Sequence, residues 1–366
     1  MDYFRRIFRI QAGLRRKKLD ALLVSQPENR RYLSGYSALD HGIAETAGVL
    51  LIPARGLPWL LTDFRFKLQA EADSGFLRIG LYPKGLLALL TELLSDLEIR
   101  SLGFESHYTL HSFAEKLKAL GDKTRVRVVP TTGLVEKLRL VKDEEEIAKI
   151  RAAVELNEQV FTEVYSSLVP DLTENEVALG IESTMRRMGA LSPSFDTIVA
   201  TGSNSALPHA VPGAAAIKKD QPLMIDMGLI LDGYCSDMTR TFMLGEPDKK
   251  FLTIHRLVRR AQLAAMASIR AGVVAAKVDK IARDIIADAG YGPAFGHSLG
   301  HGVGLAVHED PRLSSRNGKK LQAGMVVTVE PGIYLPEWGG VRLENMVVVR
   351  EDGCELLNQN STWMDL

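Results

Sequence analysis

Leu223-Met-Ile-Asp226-Met-Gly-Leu-Ile-Leu-Asp232-Gly233-Tyr-Cys235-Ser-Asp237-Met-Thr-Arg-Thr-Phe242 is the stretch on which the reading of this chain turns. Two apolar runs flank Asp232-Gly233, a dipeptide suited to the two-residue turn of a β-hairpin. That turn pairs Leu231 with Tyr234 and sets Asp226 opposite Thr239. Asp237 lies two residues from that partner. The period-two pleat therefore puts both Asp side chains on one face, as diagonal neighbours. Diagonal Cβ atoms lie roughly 7–8 Å apart or a little less, which leaves room for a cation between two carboxylates. Cys235, between the two Asp residues, reads as a small buried hydrophobe rather than a ligand.

An ionised carboxylate buried in so apolar a strand costs several kcal/mol unless it is paired or binds metal. The same reasoning applies to Glu330 in Val326-Val-Thr-Val-Glu330-Pro-Gly and to Glu344 in Val341-Arg-Leu-Glu344-Asn-Met-Val-Val-Val349. His301 sits in the glycine-rich Gly296-His-Ser-Leu-Gly-His301-Gly-Val-Gly304. Carboxylates brought close together repel and hold protons, and divalent cations remove that penalty. Ordinary alternatives exist for each residue. Asp237 could pair with Arg240, Glu344 with Arg342, His301 with backbone, and Glu330 could end a strand. All of them together require a separate rescue from burial for every residue. A metal-dependent enzyme explains them at once, and the donor set suits Mn²⁺, Co²⁺ or Zn²⁺. The loop Leu335-Pro-Glu-Trp-Gly-Gly340 is too irregular to fix a register between Glu330 and Glu344.

The 366 residues suggest two domains or one large one, and a 46% apolar content supports a sizeable core. Lys plus Arg equal Asp plus Glu at 45 each, which leaves no electrostatic footprint for nucleic acid or an anionic membrane. Two cysteines, Cys235 and Cys354, suggest no disulfide framework and a reducing, cytoplasmic location. The basic N-terminus spaces Phe4, Ile7, Phe8 and Leu14 as an amphipathic helix rather than a secretory signal, and no apolar run approaches transmembrane length.

Short apolar runs at 21–24, 48–52, 59–62, 77–81, 102–104 and 125–130 alternate with helical patterns near 64–73, 85–97 and 109–120, an α/β layout. A change of pattern at Thr131-Thr-Gly133 suggests domains of 1–130 and 131–366. One long helix is expected over 134–168, then another opened by Thr173-Glu-Asn-Glu176. Strands follow at 196–201, 222–229 and 236–243. Helices at 249–271 and 276–289 and strands at 325–330 and 341–349 repeat that order, and each half carries two of the carboxylates.

His209 and His308 are further candidates, since imidazole hands over protons near neutral pH. His308-Glu-Asp310 has the spacing of an iron triad but leaves the other carboxylates unexplained. Gly300-His-Gly-Val-Gly304 lacks the frame and the Lys of a phosphate loop.

Taken in order, Asp226, Asp237, His301, Glu330 and Glu344 resemble the ligands of the pita-bread metallopeptidases, in the aminopeptidase P/prolidase/creatinase branch. The matching stretches are Ile225-Asp-Met-Gly, Tyr234-Cys-Ser-Asp-Met-Thr-Arg-Thr-Phe, Gly300-His-Gly-Val-Gly-Leu-Ala-Val-His-Glu, Glu330-Pro-Gly-Ile-Tyr and Val341-Arg-Leu-Glu-Asn. Leu19-Asp-Ala-Leu-Leu-Val, Asn29-Arg-Arg-Tyr-Leu-Ser-Gly-Tyr36 and Leu138-Arg-Leu-Val-Lys-Asp-Glu-Glu-Glu-Ile147 extend the resemblance to almost the whole chain.

The resemblance implies an α/β creatinase-like N-terminal domain and an α+β pita-bread catalytic domain. It implies two divalent metal ions, Mn²⁺ first, with Co²⁺ or Zn²⁺ as alternatives. Asp226 would hold one ion, His301 and Glu330 the other, and Asp237 and Glu344 would bridge. Glu330 would also accept a proton from water, while His308 and His209 would assist the oxyanion and the leaving imino nitrogen. His297 would line the proline-side pocket, and Arg342 would orient a ligand carboxylate. The implied reaction is hydrolysis before proline. Arg312 matches a prolidase position that binds the substrate carboxylate, and the Asp40-His41 loop matches one that reaches a partner subunit's site in a homodimer. Both favour an Xaa-Pro dipeptidase, with aminopeptidase P as the alternative. Methionine aminopeptidase is less consistent with the N-terminal domain, and creatinase and ligand-free binding homologues are less consistent with the full ligand set. Ala306 departs from the acidic residue that relatives often carry before Val-His-Glu.

Overall fold

A computed structural model describes residues 1–366, and the chain separates into units Met1–Arg139 and Leu140–Leu366. Thr131, where the sequence pattern changes, ends a strand of the first unit, and the helix Glu136–Arg139 follows before the division.

The first unit is built on a six-stranded mixed sheet. Its strands run in the order Arg78–Leu81, Trp59–Thr62, Val49–Pro53, Ala21–Val24, Ser101–Glu105 and Arg127–Thr131. Ala21–Val24 pairs parallel with Ser101–Glu105 and antiparallel with Val49–Pro53. Strands buried over their whole length, such as Ala21–Val24 and Val49–Pro53, read as continuous apolar runs because both faces are covered. Arg30 is buried in this unit and donates to the carbonyls of Ala38 and Gly48 and to Asp40.

In the second unit the expected helix-pair-then-strands order occurs twice. Helices Glu144–Ser167 and Glu174–Arg187 share a core with the three-stranded sheet of Ile198–Thr201, Leu223–Met227 and Met238–Phe242. Helices Lys249–Ser268 and Ala275–Asp288 share another with the five-stranded sheet that contains Val326–Val329 and Asn345–Val349. Phe161, Ile181, Ile225 and Phe242 fill the first core, and Val258, Ala282, Val327 and Val347 the second. Helix starts follow local chemistry. Asp143 with Glu146, and Thr173 with Glu176, form capping boxes that satisfy otherwise orphaned backbone donors.

Three expectations change. The single helix over 134–168 is two, Glu136–Arg139 and Glu144–Ser167, because the Lys142 N–H donates to the Gly324 carbonyl and Asp143 caps a new start. The strand over 341–349 is also two, Gly339–Arg342 and Asn345–Val349. Between them the Glu344 N–H leaves its hairpin partner and donates to Thr239 O at 3.1 Å. The glycine-rich Gly300–Gly302 is a strand, paired on both sides with Glu309–Leu313 and Val326–Val329.

The hairpin register read from Asp232-Gly233 holds. Leu231 pairs with Tyr234 and Asp226 with Thr239. Positive φ at Asp232 (50°) and Gly233 (86°) makes the tight turn. The ladder is interrupted at Gly228 and at Ser236-Asp237, but the pairing on either side keeps the same register.

Candidate metal centre

Two hairpins, Leu223–Phe242 and Val326–Val349, bring their carboxylates to one cavity of about 530 Å³. In the second hairpin Val329 pairs with Asn345 and Gly332 with Arg342, so Glu330 faces Glu344 across the break in the ladder. Asp226, Asp237, His301, Glu330 and Glu344 all line the cavity, together with His209, His297, His308, Arg312 and Arg342.

The alternative pairings considered from sequence are not the ones formed. The Arg240 guanidinium donates to the carbonyls of Thr239 and Glu344, not to Asp237. Arg342 pairs with Asp226 at 2.5 Å rather than with the Glu344 carboxylate. The same guanidinium donates to Thr239 Oγ1 at 3.0 Å and to Tyr334 Oη at 2.8 Å. Cys235 is buried with its thiol directed to the Leu305 carbonyl.

What remains is an acidic cluster short of cations. The nearest donor atoms of Asp237, His301 and Glu344 lie within 4.8 Å of one another. Asp226 Oδ1 and Glu344 Oε1 are buried with no hydrogen-bond partner. The hydrogen bond from His301 Nδ1 to Gly302 O, at 3.1 Å, assigns the ring proton to Nδ1. Nε2 then faces Asp237 at 3.5 Å and Glu330 at 3.3 Å. Nε2 can serve these carboxylates in two ways, by donating a hydrogen bond to them or by giving its lone pair to a cation among them. Orphaned oxygens, an oriented imidazole and a carboxylate-rich set therefore fit divalent metal.

Burial raises the pKa of Asp237 well above the usual carboxylate range, helped by Glu344 and Asp226. Burial does the same to Glu344, with Glu330 and Asp226 adding to it, and raises Asp226 despite Arg342. Burial also works to raise Glu330, but without metal a hydrogen bond and charge from the His301 ring, with His297 and Arg342, outweigh it and bring that carboxyl down to about 2.

His308 packs edge-on against His301, with ring centroids 4.4 Å apart. Desolvation, then the neighbouring His301 and Arg312, push its pKa down to about 4, so the ring is neutral at pH 7. His297 bonds Tyr334 Oη at 2.9 Å and the Ser298 carbonyl at 2.8 Å. His209 and Arg312 are exposed at the cavity wall. Asp40 and His41 belong to the first unit and do not line this cavity. The Asp40 carboxylate is held by Arg30 at 2.9 Å and by the Ala47 N–H at 2.7 Å, and His41 is exposed.

Sequence reading passed over Tyr334, which joins His297 to Arg342, and Thr239, whose hydroxyl donates to Glu344 at 2.7 Å. Thr239 was open to discovery, because it sits directly opposite Asp226 in the hairpin. Nothing local marks Tyr334 apart from a core tyrosine.

Residues 148–351, more than half of the chain, match metallopeptidase family M24. The chain belongs to that family. As an M24 metallopeptidase it also carries a creatinase/prolidase N-terminal domain, matched over residues 6–141. It is 35% identical to an Xaa-Pro dipeptidase of Pyrococcus horikoshii over 94% of each chain. A solved Xaa-Pro dipeptidase from Bacillus anthracis superposes with a TM-score of 0.91, at 37% identity over 98% of both chains. An X-Pro aminopeptidase from Thermotoga maritima superposes with a TM-score of 0.86, at 35% identity, covering 94% of this chain and 96% of its own. The fold is thus a creatinase N-terminal domain followed by a pita-bread catalytic domain. No helix is long and apolar enough to cross a membrane.

Proposed function

We propose that this M24 metallopeptidase hydrolyses the peptide bond before proline and that Xaa-Pro dipeptides are its preferred substrates. Relatives named for Xaa-Pro dipeptidase activity support the reaction. The observation that carries the choice of dipeptide is Arg312. Its exposed guanidinium lines the cavity and makes no ion pair. A guanidinium fork matches the free carboxylate of a dipeptide bidentately, whereas a longer peptide presents an uncharged amide there.

Asp226, Asp237, His301, Glu330 and Glu344 would hold two divalent ions, Mn²⁺ first and Co²⁺ or Zn²⁺ as alternatives, which when bound polarise the scissile carbonyl and lower the pKa of water. Glu330, ionised in the site, would take the proton from the attacking water. His308, neutral at pH 7, donates an N–H toward the developing oxyanion, with His209 beside it in the cavity wall. The proton then passes to the leaving imino nitrogen. His297, held through Tyr334 to Arg342, forms the wall for the proline ring. Arg342 fixes the orientation of Asp226.

The proposal extends to a cytoplasmic homodimer. Free Cys235 and Cys354 support a reducing compartment. Phe64 and Leu68, 81% and 79% exposed on the first unit, support a contact with a second copy. Light scattering tests the dimer and cell fractionation the location.

Ala-Pro and Ala-Pro-Gly, compared on wild type and Arg312→Ala, test the substrate. Wild type is expected to prefer Ala-Pro. Arg312→Ala is expected to raise KM for Ala-Pro by the equivalent of about 1.5–3 kcal/mol and to change Ala-Pro-Gly little. Preference for the tripeptide, with no effect of Arg312→Ala, would hand the site to the Xaa-Pro aminopeptidase reading.

A further inference from the structure

The junction sequence beginning at Lys142 has no part in the chemistry above, yet it contributes one half of a buried ion pair. Lys142 Nζ lies 3.3 Å from Glu309 Oε2, and the two side chains are 2% and 8% exposed. Burying two charges is expensive, and a hydrophobic pair of the same volume is often as stable. The geometry around Glu309 suggests what the pair does.

Glu309 follows His308 directly. Its other oxygen, Oε1, accepts the Ala306 N–H at 3.0 Å and so closes the turn from Ala306 to Glu309 around His308. Gly304 leaves room for this carboxylate. A Cβ at that position would lie 2.8 Å from Glu309 Oε1 and 2.9 Å from Oε2. The Gly304 carbonyl accepts the Cys235 N–H at 2.8 Å, which ties the turn to the first hairpin two residues before Asp237. Lys142 is itself fixed, its N–H donating to Gly324 O at 2.9 Å just before the Asp143 cap. One turn further on, Glu146 accepts the Tyr234 hydroxyl at 3.0 Å. The start of this helix therefore holds both the His308 turn and the first hairpin.

The His308 ring makes no hydrogen bond of its own, and its ring contact is the edge-on one with His301. Its place in the cavity is set by the backbone of the turn. We infer that Lys142 is a positioning residue for His308, acting through Glu309 to hold the His308 turn at the cavity wall. This rests on the Xaa-Pro peptidase reading, in which His308 serves the transition state. A displaced donor weakens the transition state more than it weakens substrate binding, and a misplacement of about 1 Å can cost about 10²-fold in rate.

The test is a double-mutant cycle on Mn²⁺-loaded full-length protein with Ala-Pro as substrate. It comprises wild type, Lys142→Met, His308→Ala and the double variant, with metal content and Tm measured on each. Lys142→Met is expected to lower kcat by about 10–100-fold, with KM within about twofold and metal content unchanged. In the His308→Ala background it is expected to lower kcat no further. Lys142→Met removes the cation beside a buried carboxylate, so the neutralised pair Lys142→Met/Glu309→Gln is measured too, and replaces it in the cycle if the single variant does not fold. The neutral pair is expected to regain Tm but not kcat. Losses that multiply in the cycle, or kcat recovered together with Tm, would show the pair to be structural only and overturn the inference. A wild type inactive on every Xaa-Pro peptide would overturn the functional reading first, and this inference with it.

Discussion

The two hairpins at the metal centre are built alike and behave differently. Each carries two carboxylates and a break in its ladder, with Asp237, Glu330 and Glu344 at the breaks and Asp226 within the ladder, and in each the register continues through the break. The first turns on Asp232-Gly233, and both of its carboxyls are raised. The second turns on the longer loop at Pro336-Glu337-Trp338. Its facing carboxyls diverge, Glu344 going well up and Glu330 down to about 2. Backbone pairing decides where a carboxylate sits. Its neighbours decide whether it keeps a proton: His301 stands beside Glu330, while Glu330 and Asp226 raise Glu344.

The largest expected effect concerns whether the two hairpins form one site. Chelation is expected to abolish hydrolysis of Ala-Pro, and added Mn²⁺ or Co²⁺ to restore it. Full activity in a preparation shown to be metal-free would break the comparison at its root.

Next comes the contrast between a ligand and its neighbour. Glu330→Gln and His308→Ala are each expected to lower kcat by about 10²–10⁴-fold. Metal analysis separates them, since only Glu330→Gln is expected to lose metal. Wild-type turnover in His308→Ala would return that ring to an ordinary loop role.

A smaller effect reads the divergence directly, in metal-free protein. Glu344 is raised in the fold, so its contribution to stability is full below its ordinary value of 4.5 and is lost as pH rises through the folded value. Glu330 is depressed, so its contribution is present above 4.5 and is lost as pH falls toward 2. At pH 7 the apo form of Glu344→Gln is expected to melt above wild-type apo protein, and Glu330→Gln below it. About 2–4 °C corresponds to each kcal/mol in a domain of this size. Melting curves in chelator that move the same way for both variants would remove the distinction.

The smallest effect tests the turns. Gly233→Ala places a Cβ at φ 86° and is expected to cost about 1–2 kcal/mol. Glu337 already sits at φ 69°, so Glu337→Gly is expected to change stability by less than about 1 kcal/mol, strain relief being offset by a more flexible unfolded chain. Urea titrations of both variants measure the difference.

The same contrast explains what could be read in the sequence. Asp232-Gly233 admits few turn geometries, so the pairing of Asp226 with Thr239 could be worked out before any coordinates. The facing of Glu330 and Glu344 could not, because the loop at 336–338 has no such restricted signature. The strand at Gly300–Gly302 was hidden because glycine has little strand preference, and tertiary pairing on both sides overrides that. The helix break near Lys142 was hidden because a backbone bond to Gly324, remote in sequence, makes it. Amphipathic helices and all-apolar strands in both units were legible, since burial alone dictates their pattern.

The unbroken register of the hairpins also governs which sequence changes this centre can absorb. Asp226 and Asp237 belong to one continuous stretch of chain, and so do Glu330 and Glu344. A single residue gained or lost within either strand would turn the side chains beyond it to the opposite face and carry a carboxylate out of the cavity. The face of these strands turned away from the cavity is also buried, in the two helix-covered cores, so substitutions there must preserve packing. Changes of length are safe only in the turns, and the two-residue turn at Asp232-Gly233 offers almost no room for them. The centre therefore fixes the spacing of this part of the chain as firmly as packing fixes its apolar identity.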